Sequence, residues 1–247
     1  MAGHSKWKNI RLRKGKQDAL RGNLFTKLSR EIIVAAKMGG GDISMNPRLR
    51  VAVDKAKAAS VPKDNIDRAV KRGTGELEGV SYEELTYEGY GPSGSAIILE
   101  CYSENKNRTV AEIRHAFIKN GGSLGENGSV GWQFKRAGQI VVPSPGVDED
   151  ELTMAALEAG AEDVTGDEES FTIVTAMEDL HRVSQELEKA GYKASEIDLT
   201  YLPTNKADLS QDDQMKLVRL LDALEDLDDV QKTHVNVDIS EEAYEEA

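Results

Sequence analysis

Apolar positions recur at three- and four-residue spacing through the first third of the chain and at shorter, strand-like spacing beyond Thr86. Phe25, Leu28, Ile32 and Ala35 or Ala36 fall on one face of a helix that Gly39-Gly40-Gly41 ends. Asn46-Pro47 reads as an N-cap followed by proline at the first helical position, and Leu49, Val53 and Ala56 continue one face. After a break at Ser60-Val61-Pro62, the pattern predicts a third helix over 63–72, with Ile66, Ala69 and Val70 inward and Gly73 at its end. Residues 1–15 have no apolar period and read as an arm, and residues 73–81 read as a linker.

From Thr86 the pattern predicts strands over 87–90 and 96–102, a helix over 109–119 with Val110, Ile113 and Phe117 inward, and a strand over 130–134. Residues 139–202 then give strand 139–142, helix 148–159, strands 163–165 and 170–176, helix 180–190 and strand 196–202. That is β-α-β-β-α-β, the ferredoxin-like order. A helix over 211–227 and a strand over 233–239 have no partner unless they return to the piece before residue 135. The expected fold class is therefore α+β: an N-terminal helical domain followed by two ferredoxin-like α/β domains, the last inserted into the middle one. The expected boundaries are 1–78 for the arm and helical domain, 79–136 plus 204–240 for the discontinuous domain, 137–203 for the insert and 241–247 for an acidic tail.

The 247 residues hold 31 Lys and Arg against 44 Asp and Glu, a net of −13, which taken whole argues against a nucleic-acid partner. Split at Gly75, the picture changes. Residues 1–75 hold 18 cations and 6 anions (+12); residues 76–247 hold 13 and 38 (−25). A basic third on an acidic body is the electrostatic footprint of a polyanion-binding module, although the two parts can also pair with each other. No apolar run exceeds five residues, against about 20 for a membrane span, and the basic N-terminus is followed by no apolar stretch of the kind a secretory signal needs. The single cysteine, Cys101, forms no internal disulfide and suits a reducing, cytoplasmic setting.

Two motifs match catalytic or cofactor patterns in letters only. Gly89-Tyr90-Gly91-Pro92-Ser93-Gly94 has dinucleotide-loop spacing but lies between two strands, so it reads as a hairpin turn. Gly121-Gly122-Ser123-Leu124-Gly125 follows a helix and precedes a strand, the reverse of a nucleophile elbow. The glycine-rich stretch 121–131 reads as two turns, with a mobile loop offering backbone N–H groups as the other reading. His4, His115, His181 and His234 have no paired ligand spacing, and the acid clusters at 148–151 and 225–229 lack calcium-loop spacing. The expectation is a non-enzyme, with no cofactor and no metal.

The basic module is where chemistry concentrates. The arm carries Lys6, Lys8, Arg11, Arg13, Lys14, Lys16 and Arg21, with Trp7 between two lysines. Cations neutralise phosphates and release counterions. An indole either stacks on an exposed base or anchors the arm by packing on the helices. Lys27, Arg30 and Lys37 extend the positive surface along the first long helix, and Lys63, Arg68, Lys71 and Arg72 mark the third. A helix-turn-helix over 47–72 is compromised by Asp64 and Asp67 at the end that would read bases, so backbone contact is expected instead.

These residues, taken together, resemble the YebC/PmpR family. The resemblance rests on Ala2-Gly-His-Ser-Lys-Trp, Phe25-Thr-Lys-Leu-Ser-Arg-Glu-Ile, Ala35-Ala-Lys-Met-Gly-Gly-Gly-Asp, Asn46-Pro-Arg-Leu-Arg and Pro62-Lys-Asp-Asn-Ile-Asp-Arg-Ala. It continues through Tyr87-Glu-Gly-Tyr-Gly-Pro, Asn107-Arg-Thr and Asn120-Gly-Gly-Ser-Leu-Gly-Glu, while Gly131-Trp132 departs from the family pattern. The resemblance implies three domains and a cytoplasmic DNA-binding transcriptional regulator. For the relatives that include a mitochondrial translational activator, it implies action at the ribosome on ribosomal or transfer RNA, relieving stalled translation. It implies nucleic acid as partner, leaves room for a protein partner on the acidic domains, and supplies no catalytic residue.

Overall fold

A computed structural model describes residues 17–247, which divide into two compact units. One comprises residues 17–131, 209–235 and 240–247, and the other residues 132–208 with 236–239. Among the described residues no helix is long and apolar enough to cross a membrane.

The first unit begins with three helices, α1 (Gln17–Gly39), α2 (Pro47–Ala58) and α3 (Lys63–Gly73). The predicted apolar faces meet: Leu28, Ile32, Ala35, Ala36, Leu49, Val53, Ala56, Ile66 and Ala69 form one buried core, with Phe25, Val70 and Tyr82 packed on it. Asn46 caps α2 by accepting the Leu49 N–H at 3.0 Å. Ser60, at φ 61°, makes the bend before α3.

The sheet of this unit is built on a hairpin, β1 (Glu83–Tyr90) and β2 (Ala96–Ser103), closed by a 3₁₀ turn over Pro92–Gly94. The dinucleotide-like glycine string is thus a hairpin turn, as its context required. Helix α4 (Lys106–Lys119) and a two-residue strand, β3 (Ser123–Leu124), follow. After the second unit the chain returns as α7 (Gln211–Glu225) and β8 (Val230–Val235). Sheet order is β3-β1-β2-β8, all antiparallel. This domain connects as β-β-α-β and then α-β, so it shares the four-stranded, two-helix composition of its neighbour but not its connection order. The helical part and this sheet form one compact unit.

The second unit runs β4 (Phe134–Pro143), α5 (Glu149–Ala159), β5 (Asp163–Gly166), β6 (Ser170–Thr175), α6 (Leu180–Lys189) and β7 (Glu196–Pro203). Its sheet order, β5-β6-β4-β7, is the ferredoxin-like arrangement read from the sequence. Ile140, Val142, Phe171 and Ile173 alternate inward against Leu152, Ala156, Val183 and Leu187. The acid run 148–151 has a local reason: Asp148 caps α5 by accepting the Glu151 N–H at 3.0 Å, and the following acids lie at the positive end of the helix dipole.

Three expectations need correction. The strand expected over 130–134 is a 3₁₀ turn over Gly131–Gln133, and Phe134 already begins β4 of the second unit. The strand expected at 139–142 is the middle of that continuous β4. Gly138, within that strand, serves close packing: a Cβ there would lie 2.3 Å from Thr175 Oγ1 and 2.8 Å from Leu180 Cβ. The acidic tail is a helix, α8 (Glu241–Glu246), capped by Ser240 with Ala243 and Tyr244 buried.

Candidate nucleic-acid interface

Helices α1, α2 and α3 all carry cations, and the fold treats them differently. On α1, Lys27 Nζ donates to the Glu225 carbonyl at 2.6 Å. Lys37 Nζ donates to Ser81 Oγ at 2.7 Å and to the Tyr82 carbonyl at 3.2 Å, which fastens the expected linker to the helix. Arg30 is only 8% exposed. It donates to Asp229 Oδ1 at 2.8 Å and to the Asp228 carbonyl, with its guanidinium 5.3 Å from the Tyr82 ring centroid. The charged ends of Lys27 and Arg30 are thus both bonded within the protein.

Asp229 is the hub of this joint. Fully buried, it also accepts from Thr109 Oγ1 at 2.6 Å, Arg108 Nη2 at 3.0 Å and Ser103 Oγ at 3.2 Å. Burial pushes its carboxyl up, but the Thr109 and Arg108 hydrogen bonds and the charges of Arg30 and Arg108 outweigh that and hold it below the usual carboxylate range. On α2 every cation is engaged as well. Arg48 binds Glu84 and donates to Tyr102 Oη at 2.9 Å; Arg50 donates to the Ile43 and Ser44 carbonyls. Lys55 pairs with Glu31 at 3.6 Å and Lys57 with Asp54 at 3.3 Å.

Helix α3 is the exception. Ile66, Ala69, Val70 and Gly73 face α1, where a Cβ on Gly73 would sit 2.5 Å from the Ile33 carbonyl oxygen and 2.6 Å from Ala36 Cβ. That close approach fixes the opposite face outward. Lys63, Arg68, Lys71 and Arg72 are exposed and held by no salt bridge among the described residues. They form two i, i+4 rows, Lys63-Asp67-Lys71 and Asp64-Arg68-Arg72, so two acids dilute four cations. Asp64 and Asp67 are exposed at the N-terminal end, where a recognition helix would meet base edges.

Lys6, Trp7, Lys8, Arg11, Arg13, Lys14 and Lys16 lie outside the described residues, as does the side chain of Arg21. Of the remaining candidates, Lys63, Arg68, Lys71 and Arg72 are all exposed on α3.

Two further residues carry weight that no local pattern signalled. One is Asp229. The other is Glu88, whose carboxylate accepts N–H groups of Gly128 at 2.8 Å, Val130 at 2.7 Å and Gly131 at 2.7 Å. Burial pushes Glu88 up, and those three N–H bonds outweigh it and hold the group low. The glycine-rich stretch makes turns at Gly121 (φ 76°) and Gly128 (φ 85°), and its inward N–H groups serve Glu88. Cys101 is buried, and burial, with the nearby Asp229 charge, pushes its thiol up, away from nucleophilic use. Among the described residues no group of three His, Cys, Asp or Glu could hold a metal ion.

Residues 5–76 match the family described as the TACO1/YebC protein N-terminal domain, and residues 82–237 the TACO1/YebC second and third domain. The chain belongs to the TACO1/YebC family. The gap between the two matches falls in the segment that Lys37 fastens. The chain is 56% identical over 242 residues to a probable transcriptional regulatory protein of Aromatoleum aromaticum, covering 98% of this chain and 100% of that one. It is 54% identical over 247 residues to a protein of the same description from Persephonella marina, covering 99% of each. A crystal structure of a conserved hypothetical protein from Aquifex aeolicus, 47% identical, superposes with a TM-score of 0.85 over 91% of this chain and 93% of that one. The family is thus one whose members are named as regulators.

Proposed function

We propose that this TACO1/YebC family chain is a non-enzymatic, cytoplasmic regulator of gene expression that binds nucleic acid, with DNA as the first reading. The observation that carries the reading is the sorting of cations. In the most basic third of the chain, the cations of α1 described above and those of α2 each have a partner within the protein, whereas those of α3 are exposed with no salt bridge among the described residues. The arm's seven cations, Lys6 to Arg21, would add to that face. Phosphate contact rather than base reading is the role that fits, since Asp64 and Asp67 occupy the reading end of α3. The same observation supports a second reading, in which these cations hold ribosomal or transfer RNA, because sequence-blind backbone contact serves RNA as well as DNA.

The test is binding of the full chain to duplex DNA across a salt series, beside cosedimentation with ribosomes. A transcriptional regulator retains sequence preference as salt rises, with log K falling by about 0.9 per phosphate neutralised. Ribosome association that outlasts DNA binding in the same salt selects the second reading. Absence of both overturns the proposal.

A further inference from the structure

The two helices of the second unit present different outward faces. On α6 each cation is paired locally, Arg182 with Asp179 at 2.6 Å and Lys189 with Glu186 at 2.7 Å. Helix α5 contains no cation, and among the described residues its exposed acids Asp150, Glu151 and Glu158 make no salt bridge. Between them Met154 is 64% exposed and Leu157 51%. At about 100° per residue, these two side chains lie away from the buried Leu152, Ala156 and Ala159, with Asp150 one turn before Met154 and Glu158 one turn after it. The outward face of α5 is thus an apolar centre framed by carboxylates.

Folding of the unit accounts for only part of this. Asp150 and Glu151 suit the first turn, where the helix dipole favours acids; Glu158 lies in the last turn, where the same dipole disfavours a carboxylate and no basic residue of the helix offsets it. That end is satisfied by other groups, since Gly160 closes the helix at φ 99° and Arg182 donates to the Ala159 carbonyl. Met154 and Leu157 add nothing to the core, which Leu152 and Ala156 already close against Ile140, Val142, Phe171 and Ile173. Single exposed apolar residues are ordinary, but an adjacent pair ringed by unpaired charge of one sign is a selective surface.

We propose that the outward face of α5 docks a cationic amphipathic helix of a partner protein, whose apolar side chains cover Met154 and Leu157 while its Lys or Arg groups meet Asp150, Glu151 and Glu158. Charge complementarity selects this class of partner. Residues 132–208 hold 6 Lys and Arg against 17 Asp and Glu, a net of −11, so a polyanion is repelled from this unit and a polycation is drawn to it. The three-residue spacing of Met154 and Leu157 along a helix matches a second helix, whose side-chain rows interdigitate with such a ridge. Docking at α5 is independent of what the cations of α3 hold.

The test uses the full chain and two synthetic peptides of identical composition (leucine, lysine, alanine and glutamine). One places its leucines at three- and four-residue spacing on a single helix face with lysines beside them; the other scatters the same leucines around the helix. The wild type binds the first peptide about tenfold more tightly than the second, the scale expected when a truncated interface side chain costs more than 1 kcal/mol. The double variant Met154→Gln, Leu157→Gln loses that preference and keeps its thermal midpoint. The double variant Asp150→Asn, Glu158→Gln binds both peptides more weakly, with a flatter salt dependence, and keeps the preference. Equal wild-type affinity for the two peptides overturns the proposal, since charge alone would then explain binding, and so does a preference that survives Met154→Gln, Leu157→Gln. Two other occupants would also overturn it. Self-association of the full chain in sedimentation velocity that this double variant abolishes assigns the face to a second copy. A rise in affinity for the first peptide in the full-chain variant Lys6→Gln, Lys8→Gln, Arg11→Gln assigns it to the chain's own arm.

Discussion

Helices α1 and α3 pack side by side and carry similar charge, yet their cations have opposite fates. Arg30 of α1 is buried against Asp229, 199 residues away in sequence, and Lys27 reaches the Glu225 carbonyl. Lys63, Arg68, Lys71 and Arg72 of α3 face solvent. A charge count sees one positive surface, whereas the structure separates cations bonded within the protein from cations left exposed. The difference arises because α1 lies between the α2–α3 layer and the returning α7–β8 segment, so its charged ends meet carbonyls and a carboxylate. The four cations of α3 are exposed and make no salt bridge among the described residues.

The comparison breaks most severely at Asp229. Replacing it with alanine leaves Arg30 buried without its counter-charge and should cost about 3–5 kcal/mol in a urea unfolding curve. Its acid dependence has a definite sign. The folded carboxyl sits below its unfolded value, as does that of Glu88, so the stability both contribute is complete above about pH 5 and is lost as pH falls through the folded values. The variant Asp229→Asn should therefore show a shallower loss of stability on the acid side; an unchanged acid slope would remove Asp229 from the joint.

A milder disturbance addresses the packing that turns α3 outward. Gly73→Ala drives a methyl against the Ile33 carbonyl and Ala36, and should cost about 1–3 kcal/mol through displacement of α3 from α1. The smallest effect on stability is expected on the contact face itself. Lys63→Gln or Arg68→Gln should change unfolding free energy by less than about 0.5 kcal/mol. Each should also lower the salt slope of nucleic-acid binding by up to about one. A large stability loss there would mean that α3's cations are fasteners too.

Legibility in the sequence followed the strength of the periodic signal. Most of the longer helices and strands were readable because their apolar residues repeat at 3.6 or 2 and their ends carry Asn46-Pro47, Asp148 or Gly160. Ser123–Leu124 was not, since two residues have no period, and its partner register with Gly89 and Tyr90 depends on the α4 turn. The C-terminal helix was hidden because only Ala243 and Tyr244 are buried among acids that otherwise read as a solvated tail. The proposed contact face was half legible: the basic third was evident, but which of its cations remain exposed was not.

The sequence alone determined the α+β class, the ferredoxin-like order of the second unit, the division of charge at Gly75 and the family. These rest on local periodicity, caps and short motifs, which act within a few residues of one another. Tertiary structure alone decided that Asp229 and Glu88 organise the first unit and that Lys27, Arg30 and Lys37 of α1 find partners far along the chain, whereas the cations of α3 are left exposed. Each of these depends on groups brought together from distant parts of the chain, where burial and the supply of partners, rather than residue type, decide what a charge does.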